Sequence, residues 1–199
     1  MASVIVAGDV SGTCTLQAPS AAGSTVLTLP VIATDTLAGI AATQTLTNKT
    51  LGAGTVFPAG AVLQVVNATY ATLASTTSST YSDTGLTATI TPTRNTSKIL
   101  VFVSANGLGR ATLNSTVKLQ LVRNATSILA FENGASFTGT TTLNVVASST
   151  NYLDSPATTS ATTYKLQFAV DIAAAATVYL NYNLNATTTS TITLMEIAG

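Results

Sequence analysis

Thr163 to Ile172, TYKLQFAVDI, limits the fold more than any other stretch of this chain. Tyr164, Leu166, Phe168, Val170 and Ile172 share one phase of a two-residue period, and Lys165, Gln167, Ala169 and Asp171 share the other. Only a β-strand sends successive side chains to opposite faces, so the segment reads as a strand with one face in a core and one toward water. Thr116 to Val122 repeats the scheme, with Val117, Leu119 and Leu121 inward and Lys118 and Gln120 outward. Leu86, Ala88 and Ile90 alternate with Thr87, Thr89 and Thr91. Lys98 to Val103, KILVFV, is apolar in both phases and predicts a strand buried on both faces. Further strands are expected at Val62–Ala68, Ser127–Phe131, Thr141–Ala147, Thr177–Leu184 and Thr191–Ile197, and no segment has convincing helical periodicity. Turn signals separate them at Ser82-Asp83-Thr84-Gly85, Asn106-Gly107, Glu132-Asn133-Gly134 and Asp154-Ser155-Pro156. Many short strands between polar turns predict an all-β fold, an antiparallel β-sandwich or jelly roll over residues 61–199.

The first 60 residues differ. Their β-like runs, SVIV, TCTLQ and TVLTLP, are broken at Gly8, Gly12 and Gly23 and are too short to build a core alone. Their apolar side chains need partners from the later domain or from other copies of the chain. Residues 1–50 therefore read as a separate N-terminal segment and 51–60 as a linker, with Gly52 and Gly54 permissive and Pro58 stiffening entry to the next domain.

Composition narrows the function. Charged residues are only 7% of the chain, seven basic and seven acidic, and threonine is about a fifth. A neutral chain with so little charge has no electrostatic reason to seek nucleic acid or an anionic membrane. An uncharged, β-rich surface aggregates unless its edges are covered, which favours an assembled oligomer. No run approaches the roughly 18 apolar residues of a membrane helix. The opening MASVIVAGDVSG carries no basic residue ahead of its apolar stretch and does not read as a secretory signal. Cys14 is the only cysteine and reads as a small packed side chain.

Catalytic and metal chemistry finds little footing. The chain has no histidine, and Asp9, Asp35, Asp83, Glu132, Asp154, Asp171 and Glu196 are spread so that no local carboxylate pair forms. Ser115-Thr116-Val117-Lys118 matches S-x-x-K, but it runs into an alternating strand and lacks companion boxes, so it reads as chance. Gly107-Leu108-Gly109 lacks the third glycine and following helix of a phosphate-cradling loop. The N-x-S/T triplets, such as those at Asn67 and Asn124, follow from the composition. No catalytic residue, metal site or cofactor is expected.

The segment GDVSGTCTLQAPSAAGSTVLTLP (8–30) resembles a stretch recurrent in tail-fibre and other virion proteins of tailed bacteriophages. ATDTLAGIAATQTLTNKTL (33–51) is similar to a phage-fibre pattern in which T-L-T-N-K-T-L recurs. TGLTATITPTRNTSKILVFVSANGLG (84–109) and TITLMEIAG (191–199) are similar to terminal β-domains of phage and prophage fibres. The resemblance implies a homotrimeric virion appendage, assembled in the bacterial host cytoplasm. Residues 1–50 would dock on other virion proteins or form a short shaft, and a C-terminal knob would face outward. Only about 50 residues precede the knob, fewer than most fibre shafts, so tail fibre, head fibre, capsid-decorating trimer and baseplate spike all stay open. A bacterial surface adhesin is the alternative from another class.

The expected function is accordingly structural and adhesive, through contacts with a host surface glycan or protein. Tyr70, Tyr81, Tyr152, Tyr179 and Tyr182 are candidates to stack on sugar rings or meet a protein surface. Tyr179 is opposite in phase to Val178 and Leu180, and Asn181 and Asn183 share its phase. These three are the site candidates, either as a recognition surface or as part of a subunit interface.

Overall fold

The computed structural model describes residues 3–7, 13–17, 57–140, 143–171, 176–183 and 187–199. The chain divides into two compact units, Met1–Gly52 and Ala53–Gly199. In the first, β1 (Ser3–Ala7) pairs antiparallel with β2 (Thr13–Gln17), Val4 opposite Leu16 and Val6 opposite Cys14. The packing of Cys14, most of segment 1–50, linker residues 51–56, Ile172 and the end of the strand expected at Thr177–Leu184 lie outside the described residues. Pro58 to Ala61 form a turn, Ala61 N–H donating to the Pro58 carbonyl at 3.1 Å. Gly60 N–H also donates to Ala198 at 2.8 Å, so this part of the stretch read as a linker is tied into the second unit.

The second unit is all-β among its described residues, with ten strands: β3 (Val62–Tyr70), β4 (Ala74–Thr76), β5 (Ser82–Ile90), β6 (Lys98–Arg110), β7 (Thr116–Arg123), β8 (Thr126–Ala135), β9 (Asn144–Asp154), β10 (Thr162–Asp171), β11 (Val178–Leu180) and β12 (Ser190–Ile197). Every pairing is antiparallel. One sheet has the order β5-β10-β7-β8. In the larger sheet, β9 lies along one edge of β6, while β12 and β11 share its other edge and pair outward with β3 and β4. Links between the long strands pass from sheet to sheet, except the β7–β8 hairpin. The result is sandwich-like, two sheets around one core.

The alternation places the core. Leu86, Ala88 and Ile90 of β5, Val117, Leu119 and Leu121 of β7, and Tyr164, Leu166, Phe168 and Val170 of β10 are all buried. They meet Ile99, Val101, Val103, Ile192 and Leu194 of the larger sheet. Ala169, in the outward phase, is buried as well.

Three of the four turn signals are strand irregularities. Ser82 to Gly85 lies within β5, where the β10 register jumps from Lys165–Thr87 to Gln167–Asp83. Asn106-Gly107 lies within β6, where the β9 register jumps from Ala105 to Leu108. Glu132 to Gly134 lies within β8 beside a shift between Val117 and Leu119. A bulge and a tight turn both need residues tolerant of unusual backbone angles, so the local sequence signals them alike. Gly85 and Gly107 have φ of 98° and 61°. Asp154-Ser155-Pro156 does end β9.

Polar clusters close both ends of the sandwich. At one end the fully buried Arg110 donates from Nε to Ser136 O at 2.5 Å, from Nη1 to Thr112 O at 2.5 Å and from Nη2 to Thr138 O at 2.7 Å. At the other, Asp154 accepts from both Arg123 Nη1, at 2.9 Å, and Tyr164 Oη, at 2.6 Å. Burial first, and then the Asp154 carboxylate, push the Tyr164 phenol far up. Glu196 is fully buried and accepts from Gln64 Nε2 (2.6 Å), Ser97 Oγ (2.6 Å) and the Thr93 N–H and hydroxyl (2.7 Å each).

Burial is the largest single influence on Glu196 and would push its carboxyl up, but the bonds from Ser97, Gln64 and Thr93 outweigh it and hold the carboxyl below 4.5. The unfolded chain therefore binds the proton more readily, and this contribution to stability is complete above about pH 4.5 and lost as pH falls through the lowered value. Urea midpoints should drop between pH 5 and 3 for the native chain. Glu196→Gln should be less stable near neutrality and lose less on acidification; equal acid losses in both proteins would refute this assignment.

Candidate functional site

The two outer faces of the sandwich differ in chemistry because their outward phases carry different residues. On the smaller sheet, side-chain hydrogen bonds run across all four strands. Ser127 Oγ donates to Gln120 Oε1 (2.8 Å), Gln120 Nε2 to Gln167 Oε1 (2.7 Å), and Gln167 Nε2 to Asp83 Oδ1 (2.6 Å). Lys165 Nζ closes on Asp83 Oδ2 at 2.8 Å, and its hydrogen bond is the largest cause holding the Asp83 carboxyl below its usual range. Lys118 lies 3.5 Å from Asp171, with its Nζ 5.8 Å from the Tyr81 ring centroid. This face satisfies itself.

The larger sheet does the opposite. Register sets Val65, Met195, Leu100 and Leu153 side by side across β3, β12, β6 and β9. Val65 and Leu153 are 55% and 49% exposed, so the apolar row faces out. Two residues along each strand the row is Asn67, Thr193, Phe102 and Asn151, and the next is Thr69, Thr191, Ser104 and Ser149. Phe102 is 42% exposed. KILVFV is thus buried on one face only: Ile99, Val101 and Val103 point into the core, whereas Leu100 and Phe102 do not. A second apolar phase calls for a covering layer, and among the described residues of the unit none covers this one.

Between the last two rows lies a cleft of about 290 Å³ lined by Phe102, Ser104, Ser149, Asn151 and Thr191, among others. Among the described residues, the Ser149, Asn151 and Thr191 side chains make no hydrogen bond, whereas Asn67 Nδ2 donates to Thr193 Oγ1 at 2.8 Å. None of the cleft's side chains is ionisable.

The three sequence candidates do not converge. Tyr179 is half-buried with its ring centroid 5.0 Å from that of Tyr182, both over Gly109. Asn183 is exposed. Asn181, expected outward, is fully buried: its Nδ2 donates to Tyr70 O (2.8 Å) and Thr72 O (3.1 Å), and its Oδ1 accepts from Ser190 Oγ (2.6 Å). The reason is local. β11 ends at Leu180, and Asn181 takes a φ of 57°, which breaks the alternation and turns its amide inward. Of the other tyrosines, Tyr70 and Tyr152 pack against the core.

Ser115 and Lys118 do not meet as a catalytic pair. Ser115 is buried with its hydroxyl on Thr112 O at 2.7 Å, while Lys118 pairs with Asp171 on the outer face. Among the described residues, no three His, Cys, Asp or Glu side chains are placed to share a metal ion. The exposed aromatic Phe102 was hidden in the sequence by its apolar neighbours. Its one signal is that Phe102 shares the phase of Lys98 and Ser104.

No family model matches the chain, and no curated protein matches it.

Proposed function

We propose that this chain is a structural, non-enzymatic component of a tailed-phage virion, a short homotrimeric fibre whose second unit is an outward adhesive knob. The observation that carries the proposal is the contrast between the two outer faces, one internally hydrogen-bonded and charge-paired, the other sparsely charged, with Lys98 beside an apolar row across four strands. A surface of that kind belongs in contact with other protein. Val65, Met195, Leu100 and Leu153 carry no charge to repel a second copy, and a row in register offers the flat, repeating surface that symmetric packing uses. The sequence resemblance supplies the phage setting and the threefold symmetry.

The knob is a jelly roll in this reading. The orders β3-β12-β6-β9 and β5-β10-β7-β8, with nearly every link crossing between sheets, support that reading, because two interlocked Greek keys, common in capsid and lectin domains, call for such links. The first unit docks on the particle through segment 1–50, and host adhesion gains avidity from threefold display.

Protein mass spectrometry of gradient-purified particles from cells carrying the gene should find the chain at a fixed copy ratio, and excess purified chain should slow particle adsorption to the host. Particles without the chain would refute the virion reading. Unchanged adsorption, with particles less stable when the chain is missing, would favour a capsid-decorating trimer instead.

A further inference from the structure

The outer face of the larger sheet holds one feature that packing between copies does not require. The cleft beside Phe102 combines an exposed aromatic ring with Ser149, Asn151 and Thr191 side chains that have no hydrogen-bond partner among the described residues. Ser104 makes only long contacts with the Asn106 amide, at 3.3 and 3.5 Å. All five side chains project from β6, β9 and β12, whose ladder pairing fixes their spacing before any ligand arrives. Binding then costs little ordering.

We propose that this cleft binds one ring of a neutral saccharide. With no ionisable group in the lining, nothing there would offset the desolvation of a charged ligand. A wholly apolar ligand would strip water from three or more hydroxyl and amide groups and leave them unpaired. A sugar ring has the matching amphipathy: its C–H face lies on Phe102 while its hydroxyl rim reaches Ser149, Asn151 and Thr191. The volume of about 290 Å³ is just under the usual range for small-molecule sites, roughly 300–1,000 Å³, and suits a single ring better than a longer oligomer. The cleft starts about 7 Å along the strands from the apolar row, so it sits at the rim of a contact between copies.

This inference rests on reading the face as the molecule's working surface, and its test separates the two. Saturation-transfer NMR on the full chain would use the methyl glycosides of glucose, galactose and N-acetylglucosamine as probes, with solution mass measured in the same buffer. At least one glycoside should give a saturable signal. Phe102→Ala, whose side chain is already partly solvated, should weaken it about tenfold or more with mass and unfolding midpoint unchanged. Asn151→Ala should weaken it less, and Phe102→Trp should retain it. No signal from any of the three, or a signal indifferent to both alanine variants, would overturn the saccharide site. An assembled chain without a signal would remove this inference alone, and a monomer that binds would remove the assembly reading alone.

Discussion

Arg110→Leu should destabilise the second unit by about 3–5 kcal/mol, the usual result of breaking a buried, hydrogen-bonded charged group. The guanidinium is fully buried and its fork reaches the carbonyls of Thr112, Ser136 and Thr138, which lie on the β6–β7 and β8–β9 connections. Leucine fills part of the volume but donates nothing, so the Ser136 carbonyl must find water or remain unpaired, while Thr112 and Thr138 keep only the Ser115 hydroxyl and the Asn114 N–H. Ser136 also donates its hydroxyl to Asn144 O, so loosening one connection disturbs the start of β9. Arg110→Lys should recover only a minor part, because one ammonium cannot reproduce a planar fork with three directed bonds. Equilibrium urea unfolding checks both variants. A leucine variant within about 1 kcal/mol of the native chain would show that the arginine is not the clasp of this end of the sandwich.

Gly85→Ala should cost about 2–4 kcal/mol, from two causes that act together. Gly85 has a φ of 98°, which an L side chain rarely adopts, and a β-carbon there would stand 2.5 Å from Tyr70 Cζ. The Tyr70 ring, packed against the core, must shift to make room. Tyr70→Ala in the same chain should recover the steric part and leave the backbone part, so the two substitutions should be non-additive by roughly 1–2 kcal/mol. Additive losses in thermal or urea unfolding would mean the ring and the bulge are independent.

The sequence made the strands legible where one face is apolar and the other polar. β5, β7 and β10 show this plainly, and their inward residues are the core. It was less informative where the chain departs from period two. The Gly85 and Gly107 bulges carry turn residues, so β5 reads in the sequence as beginning only at Leu86 and β6 as stopping at Val103. β6 is apolar in both phases at Leu100 and Phe102, and a single sequence does not say whether a second layer covers them. The buried charges depend on contacts far apart in the chain: Glu196 meets Gln64, 132 residues away, and Asp154 meets Arg123, 31 residues away. One clue was present. Glu196 shares the phase of Ile192 and Leu194, which marks a carboxylate aimed into the core. Asn181 gave no such clue, because its inward turn depends on where β11 stops.

Copies of this chain should cover the apolar row of its larger sheet. Light scattering on the purified full-length protein tests it most directly, compared with a variant carrying Leu100→Asp and Leu153→Asp in the apolar row. The native mass should be three times the 20.0 kDa of one chain, and the folded variant should fall toward the mass of a single chain. A native monomer, or a trimer indifferent to both aspartates, would contradict it.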